Sequence, residues 1–329
     1  MSQNVLLEVD GLKMHYPIHG GIFFRRVATN YAVDGVTFSI RKGETLGIVG
    51  ESGCGKSTVA KSILRLYEPT AGCVRFAGTN ILELSAAGMR SLRRDIQIIF
   101  QDPMESLNAR HTVGTILEEP FVIHKLGTHE QRQMWVSELL ARVGLQADAA
   151  HRYPHEFSGG QRQRIGIARA IALQPKLLIC DEPVSALDVS IQSQILNLLL
   201  DLQSDLGLTL LFIAHDLAVV KHVSDRIAVM YLGKIVEIND AEHLYRQPVH
   251  PYTQALLKSI PKPDPDAPHK HAVLKGEVPS PINPPSGCYF HTRCPHVQDK
   301  CRTEAPVLRV IQQDKPDWQV ACHYAETFL

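Results

Sequence analysis

Long hydrophobic runs are missing from the 329-residue sequence. Its longest apolar pieces, such as LTLLFIA near residue 210, fall well short of the roughly 18 residues that a membrane-spanning helix needs. The chain is therefore expected not to cross a bilayer by itself. An excess of charge is missing too, because 34 Lys and Arg balance 34 Asp and Glu. No global positive field exists to hold nucleic acid or anionic lipid, and nucleic acid is not an expected partner. The opening MSQNVLLEVD lacks a basic leader followed by an apolar core, so it does not read as a signal peptide, and the cytosol is the expected compartment. Seven cysteines are an odd number, and a disulfide framework is disfavoured in a reducing compartment.

Proline divides the chain. Seven of the 20 prolines precede residue 248 and thirteen lie from Pro248 onward, nine of them between Pro261 and Pro295. Residues 1–259 read as the regular domain, and 260–329 as a proline-rich linker, IPKPDPDAPHK, followed by a small irregular cysteine-rich extension. Within the first part, the apolar runs TLGIVG, IQIIF, KLLIC and LTLLFIA alternate with segments of helical period, which predicts an α/β fold with a largely buried parallel sheet. From Asp188 to Gly207 the residues Ile191, Ile195, Leu198, Leu199, Leu202 and Leu206 share one helical face. Asp188 can cap the start of that helix and Gly207 can end it in the left-handed conformation. Residues 106–174 read as an inserted helical subdomain without a strand, and RIAVMYLGKIVEI reads as a hairpin.

Gly50, Glu51, Ser52, Gly53, Cys54, Gly55, Lys56 and Ser57 spell G-x-x-x-x-G-K-S, followed directly by Thr58, between the apolar strand TLGIV and the segment KSTVAKSILRL, whose spacing is helical. That context fits a phosphate loop. The glycines let backbone N–H groups turn in around phosphates, Lys56 reaches the β and γ oxygens, and Ser57 can ligate magnesium. The strand KLLIC then delivers Asp181 and Glu182 where ligands sit in open α/β sheets. Asp181 is expected to hold magnesium, and Glu182 to orient and polarise the attacking water.

The segment HEFSGGQRQRIGIARAIAL opens a second helix at Ser158, Gly159 and Gly160, about 100 residues beyond the first. FSGGQ, residues Phe157 to Gln161, resembles the LSGGQ signature of ABC-type ATPases. The resemblance implies a nucleotide-binding domain with an inserted helical subdomain, whose signature closes over ATP held by another subunit's phosphate loop. It further implies that Tyr16 stacks on adenine, that Gln101 in IIFQDP senses the γ-phosphate, contacts magnesium and couples to a membrane partner, that Asp188 in SALD crosses the dimer interface, and that His215 in FIAHD is the switch histidine. The stretch PIHGGIFFRRVATN, over 17–30, departs from many relatives; its Phe23, Phe24, Arg25 and Arg26 could touch a membrane or a partner, or form an exposed loop.

HPYTQALLKSIP, GEVPSPINPPSGCYF and the cysteine-rich end resemble the carboxyl extension of ATPase subunits of dipeptide and oligopeptide importers. That implies two transmembrane permease subunits, a second related ATPase in a heterodimer, an extracytoplasmic solute-binding protein acting indirectly, and a peripheral place on the cytoplasmic face of the inner membrane. Nickel, glutathione and other small solutes are alternative cargoes in this subfamily. Cys288, Cys294, Cys301 and Cys322 cluster in a window too short and proline-rich to build a core, which calls for a staple. Zinc suits four thiolates, although the paired C-x-x-C spacing of common zinc sites is missing. An iron-sulfur cluster suits them as well, and the family resemblance favours a 4Fe-4S cluster. Cys54, Cys73 and Cys180 are expected to be small buried residues of the nucleotide fold.

Overall fold

Each of the four apolar runs becomes a strand in the computed structural model, which describes residues 4–21, 23–102, 106–260 and 276–329. In chain order the strands are β1 (Val5–Gly20), β2 (Arg25–Arg41), β3 (Thr45–Val49), β4 (Ala71–Phe76), β5 (Thr79–Asn80), β6 (Ile96–Ile99), β7 (Leu177–Asp181), β8 (Thr209–Ala214), β9 (Arg226–Tyr231), β10 (Lys234–Asp240), β11 (Arg309–Val310) and β12 (Gln319–Val320). Every residue of β3, β7 and β8 is buried. That is the signature of strands covered on both faces, and it explains why their sequences show no alternation. The chain divides into two compact units, one comprising residues 1–41, 45–83 and 214–329, the other 42–44 and 84–213.

In the first unit, β2, β1, β4 and β5 form an antiparallel sheet in that order. A second set of strands has β3 parallel to β9, followed by the antiparallel neighbours β10, β12 and β11. The β9–β10 pair is the expected hairpin. Gly47 lets the helix Leu217–Val223 approach β3, since a Cβ there would stand 2.3 Å from Val220. The stretch 17–30 is not an irregular loop over its described residues: β1 and β2 stay paired as far as Gly20 and Arg25. Phe23 and Phe24 stand exposed at the turn, and the Arg25 guanidinium lies 5.7 Å from the Phe23 ring.

The C-terminal residues 276–329 have little regular structure, yet they are anchored firmly within this first unit. β12 adds to β10 through the pairs Glu237 with Val320 and Ile238 with Gln319. Trp318 is buried with Val249, Val320 and Ala325, and the Asp317 carboxylate accepts two hydrogen bonds from Arg41. Buried Glu237 accepts from the amides of Val249 at 3.0 Å and His250 at 2.9 Å, fixing the entry to the helix Pro251–Lys258. The proposed linker IPKPDPDAPHK lies, from residue 261 on, outside the described residues.

In the second unit β6, β7 and β8 are parallel neighbours. The helices Val113–Ile123, His129–Arg142 and Gly159–Ile171 lie between β6 and β7, and among the described residues of 106–174 there is no strand. The helix Val189–Leu206 ends at left-handed Gly207 as expected, whereas Asp188 occupies the cap position without a side-chain capping bond. Its buried face comprises Ile195, Leu196, Leu199 and Leu202. Leu196 was missing from the periodicity reading, and Ile191, Leu198 and Leu206 are only partly covered. Cys54 and Cys180 are buried, but Cys73 is only half-buried. On β4 the alternation sends Val74 and Phe76 inward and leaves Cys73 on the other face.

Candidate active site

The phosphate loop belongs to the first unit and is shaped by close backbone contacts. A Cβ on Gly50 would lie 2.1 Å from the carbonyl oxygen of Met230, and one on Gly55 would lie 2.1 Å from that of Ala32. Gly55 has φ 107°, which L side chains rarely adopt, and caps the helix Lys56–Ile63. Lys56 is buried, and its ammonium donates to the carbonyl oxygens of Gly50 at 2.8 Å and Glu51 at 3.2 Å. Cys54 is packed beneath the loop, where burial pushes its thiol up. Ser52 and Gly53 are exposed; Ser57 and Thr58 are partly covered. Tyr16 pairs with Asn30 across the hairpin, meets the Tyr67 ring edge-on at 5.9 Å, and has its phenol bonded to Thr58 and pushed up by burial. The adenine residue suggested by the sequence is thus tied to the helix that leaves the phosphate loop. His215, also in the first unit, is exposed, and Asp216 after it caps the next helix by accepting from the Ala218 amide at 2.7 Å.

In the second unit, buried Asp181 is the last residue of β7. Glu182 follows with φ 48°, a left-handed backbone that a non-glycine residue adopts at a cost. Bonds to its backbone hold it there. Its amide donates to the Ile213 carbonyl at 2.9 Å, and its own carbonyl accepts from the Ser185 hydroxyl at 3.1 Å. The Gln101 side-chain amide donates to the Glu182 carboxylate at 3.1 Å. Two residues assigned from motifs 81 positions apart are therefore neighbours. In the signature segment, Ser158 and Gln161 form a reciprocal capping box at the start of the helix Gly159–Ile171. Gly160 is buried, and a Cβ there would meet Ile191 at 2.6 Å, so its small size serves helix packing. Gly159 and Asp188 are exposed.

The cysteines 288, 294, 301 and 322 line one small, largely apolar space together with His250, Phe290, His296 and Phe328. Burial pushes the thiols of Cys288 and Cys322 up to about 11. His250 is wholly buried and pushed down to about 3, so it is neutral, and its Nδ1 accepts from the Tyr252 amide. Among the described residues, no group of three or more His, Cys, Asp or Glu side chains is arranged to hold a metal ion. The four thiols border the same space, and their donor type and number, not an arrangement around one point, are what match a soft, thiolate-bound group.

Sequence reasoning passed over Arg293 and Tyr252. Arg293 clamps the phosphate-loop residue Glu51 through two hydrogen bonds, at 2.8 and 3.0 Å, and the Tyr252 hydroxyl accepts from the Glu51 amide at 3.0 Å. No local motif signals either contact.

The ABC transporter family profile matches residues 33–185, and the profile described as the oligopeptide/dipeptide transporter C-terminal region matches 236–301. The oligopeptide transport ATP-binding protein AppF of Bacillus subtilis (strain 168) is 54% identical over 98% of both chains. The chain belongs to the ABC transporter family of ATP-binding subunits. This ABC ATPase is also 52% identical to the probable peptide ABC transporter ATP-binding protein y4tS of Sinorhizobium fredii (strain NBRC 101917 / NGR234), over 97% of the chain and 90% of the relative. Among solved structures, the ABC ATPase is similar to cbiO1 of Clostridium perfringens, part of the transporter complex cbiONQ, with TM-score 0.64, 27% identity and coverage of 74% of this chain and 92% of the other. It is equally similar to the cassette MJ0796 in a dimeric post-hydrolysis state bound to ADP and phosphate, with TM-score 0.64, 29% identity, and coverage of 72% and 99%. Among the described residues of the ABC ATPase, no helix is long and apolar enough to cross a membrane.

Proposed function

We propose that this ABC ATPase powers a membrane importer of di- or oligopeptides. The observation that carries the substrate class is the similarity to AppF across 98% of both chains, the C-terminal region included. Lys56, Ser57, Thr58 and the loop amides of Gly50, Ser52, Gly53, Cys54 and Gly55 bind the phosphates of ATP. Tyr16 faces the base, while Asp181, Ser57 and Gln101 serve the magnesium ion. Glu182 is the catalytic carboxylate, positioned by Gln101, and His215 contacts the γ-phosphate. Ser158, Gly159, Gly160, Gln161 and Asp188 serve the nucleotide of the partner ATPase. That partner is a sister subunit in a heterodimer, and the pair sits peripherally on the cytoplasmic face of the inner membrane beneath two permease subunits, supplied by an extracytoplasmic solute-binding protein.

A groove in the second unit supports the permease contact. It is lined by Phe100, Pro120, Ile123, His124 and Arg169, and one stretch of its lining, from Gln97 to Phe100, ends one residue before Gln101. Ile123 is 61% exposed there, so an apolar partner has surface to cover. ATP-driven closure moving this region would transmit the work to the permeases.

Cys288, Cys294, Cys301 and Cys322 hold a 4Fe-4S cluster, whose chemistry here is to cross-link a segment that has little regular structure. Anaerobic purification from membranes in mild detergent tests both readings. The assembly is expected to contain two permeases, the sister ATPase and about four irons per chain at these cysteines, with the iron diminished by Cys294→Ser. Recovery without permeases contradicts the transport reading. A colourless preparation holding one zinc contradicts the cluster alone.

A further inference from the structure

Glu51 is the second residue of the phosphate loop, and each of its polar groups is engaged. The carbonyl accepts from Lys56 at 3.2 Å, the amide donates to the Tyr252 hydroxyl at 3.0 Å, and the carboxylate takes both terminal nitrogens of Arg293. The Arg293 side chain is 4% exposed and that of Glu51 25%, so this is a largely desolvated, bidentate pair, the strong form of the interaction. Arg293 is fixed from behind as well. Its guanidinium lies 5.8 Å from the Tyr231 ring, and Phe290 packs against Tyr231 at 5.3 Å and Tyr252 at 5.4 Å. The next residue, Cys294, lines the cysteine space.

We propose that Arg293 is a positioning residue for the phosphate loop, through which the cysteine-bearing extension sets the affinity of the cassette for ATP. The proposal rests on the reading that the Lys56 loop binds ATP. Two physical effects operate together. A loop released from the clamp spends part of its time in conformations that do not cradle phosphate, and the apparent dissociation constant rises in proportion. An uncompensated Glu51 carboxylate beside that loop also repels the nucleotide's phosphates, which Arg293 otherwise offsets. Neither effect touches the hydrolytic step. The signature is therefore a change in the concentration of ATP required, with little change in the rate at saturation.

The test compares wild type with Arg293→Gln, Arg293→Lys, Glu51→Gln and the Arg293→Gln/Glu51→Gln pair, each in the full membrane-extracted assembly, by steady-state ATPase and by equilibrium binding of ATP. Arg293→Gln is expected to raise KM and Kd about tenfold, within the usual range of coupling between sites, while kcat stays within about twofold. Arg293→Lys keeps the charge but loses the fork, and is expected to fall between the two. The double variant is expected to bind ATP no more weakly than Arg293→Gln alone, because both changes break the same contact. An unchanged KM, a loss confined to kcat, or additive losses would overturn the proposal. Lys56→Ala, run in parallel, separates the two failures. If it still binds ATP normally, the assignment of the loop has failed; if it loses ATP while Arg293→Gln does not, the positioning role has failed.

Discussion

Glu182→Gln is expected to bind ATP with near wild-type affinity and to turn over roughly 10²- to 10⁴-fold more slowly, the usual loss when a positioned general base is removed. The substitution keeps the side chain's shape and one acceptor oxygen, so the backbone that holds it is not disturbed. That backbone is unusual. At φ 48° residue 182 is held by the bond to Ile213 and by the bonds from Ser185, and such strain persists only where the surroundings enforce it. The strand β7 thus ends in a fixed geometry that aims one carboxylate, with Gln101 at 3.1 Å as its neighbour. Rapid-quench measurement of a single turnover separates the hydrolytic step from product release. A wild-type rate constant for that step in Glu182→Gln would remove Glu182 from the reaction.

Gly55→Ala is expected to lower ATP affinity more than about 100-fold without unfolding the chain. A Cβ at this position collides with the Ala32 carbonyl oxygen, and the φ of 107° is strained for any L residue whatever the space. Backbone on β2 cannot yield as a flexible side chain can, so the loop itself must shift. A displacement of about 1 Å is sufficient to cost two orders of magnitude where aligned groups act together. Calorimetric titration with ATP, alongside thermal unfolding without nucleotide, checks the outcome. An affinity within threefold of wild type would show that the loop tolerates the shift and that its backbone amides are not the main phosphate ligands.

The parts of the site that were legible in the sequence are those where chemistry and chain order coincide. The phosphate loop reads directly because its glycines, Lys56 and Ser57 must be adjacent in sequence to surround one anion. KLLICDE reads directly because a buried parallel strand is continuously apolar and the acids begin where it leaves the sheet. The Gly207 terminus reads for a similar reason, as a single residue dictates a local backbone conformation. Asp188 shows the limit of that logic: it occupies the cap position, yet makes no capping bond. Gly160 shows another, since its small size is needed for packing against Ile191 and the motif alone would credit it wholly to the nucleotide.

What stayed hidden depends on residues distant along the chain. Arg293 and Glu51 are 242 positions apart, and nothing local distinguishes Arg293 from any surface arginine. The addition of β12 to β10 was equally invisible, because two-residue strands carry no periodicity. The 17–30 stretch reads from sequence as an exposed loop or a contact surface because it departs from many relatives. Pairing with the opposite strand nonetheless continues as far as Gly20 and Arg25, since backbone hydrogen bonding does not require an apolar pattern. Cys73 was expected inside, and the alternation of β4 left it half-buried.

The most direct test of the account is ATP-dependent uptake of a labelled oligopeptide by vesicles that contain the co-purified permeases and sister ATPase, with the solute-binding protein on the outer side and ATP enclosed. Accumulation is expected only with hydrolysable ATP, is expected to fall to background when this chain carries Glu182→Gln, and is expected to be competed by unlabelled peptides but not by nickel or glutathione. Accumulation that continues unchanged with Glu182→Gln, or a complex that transports nickel or glutathione and ignores peptides, would contradict it.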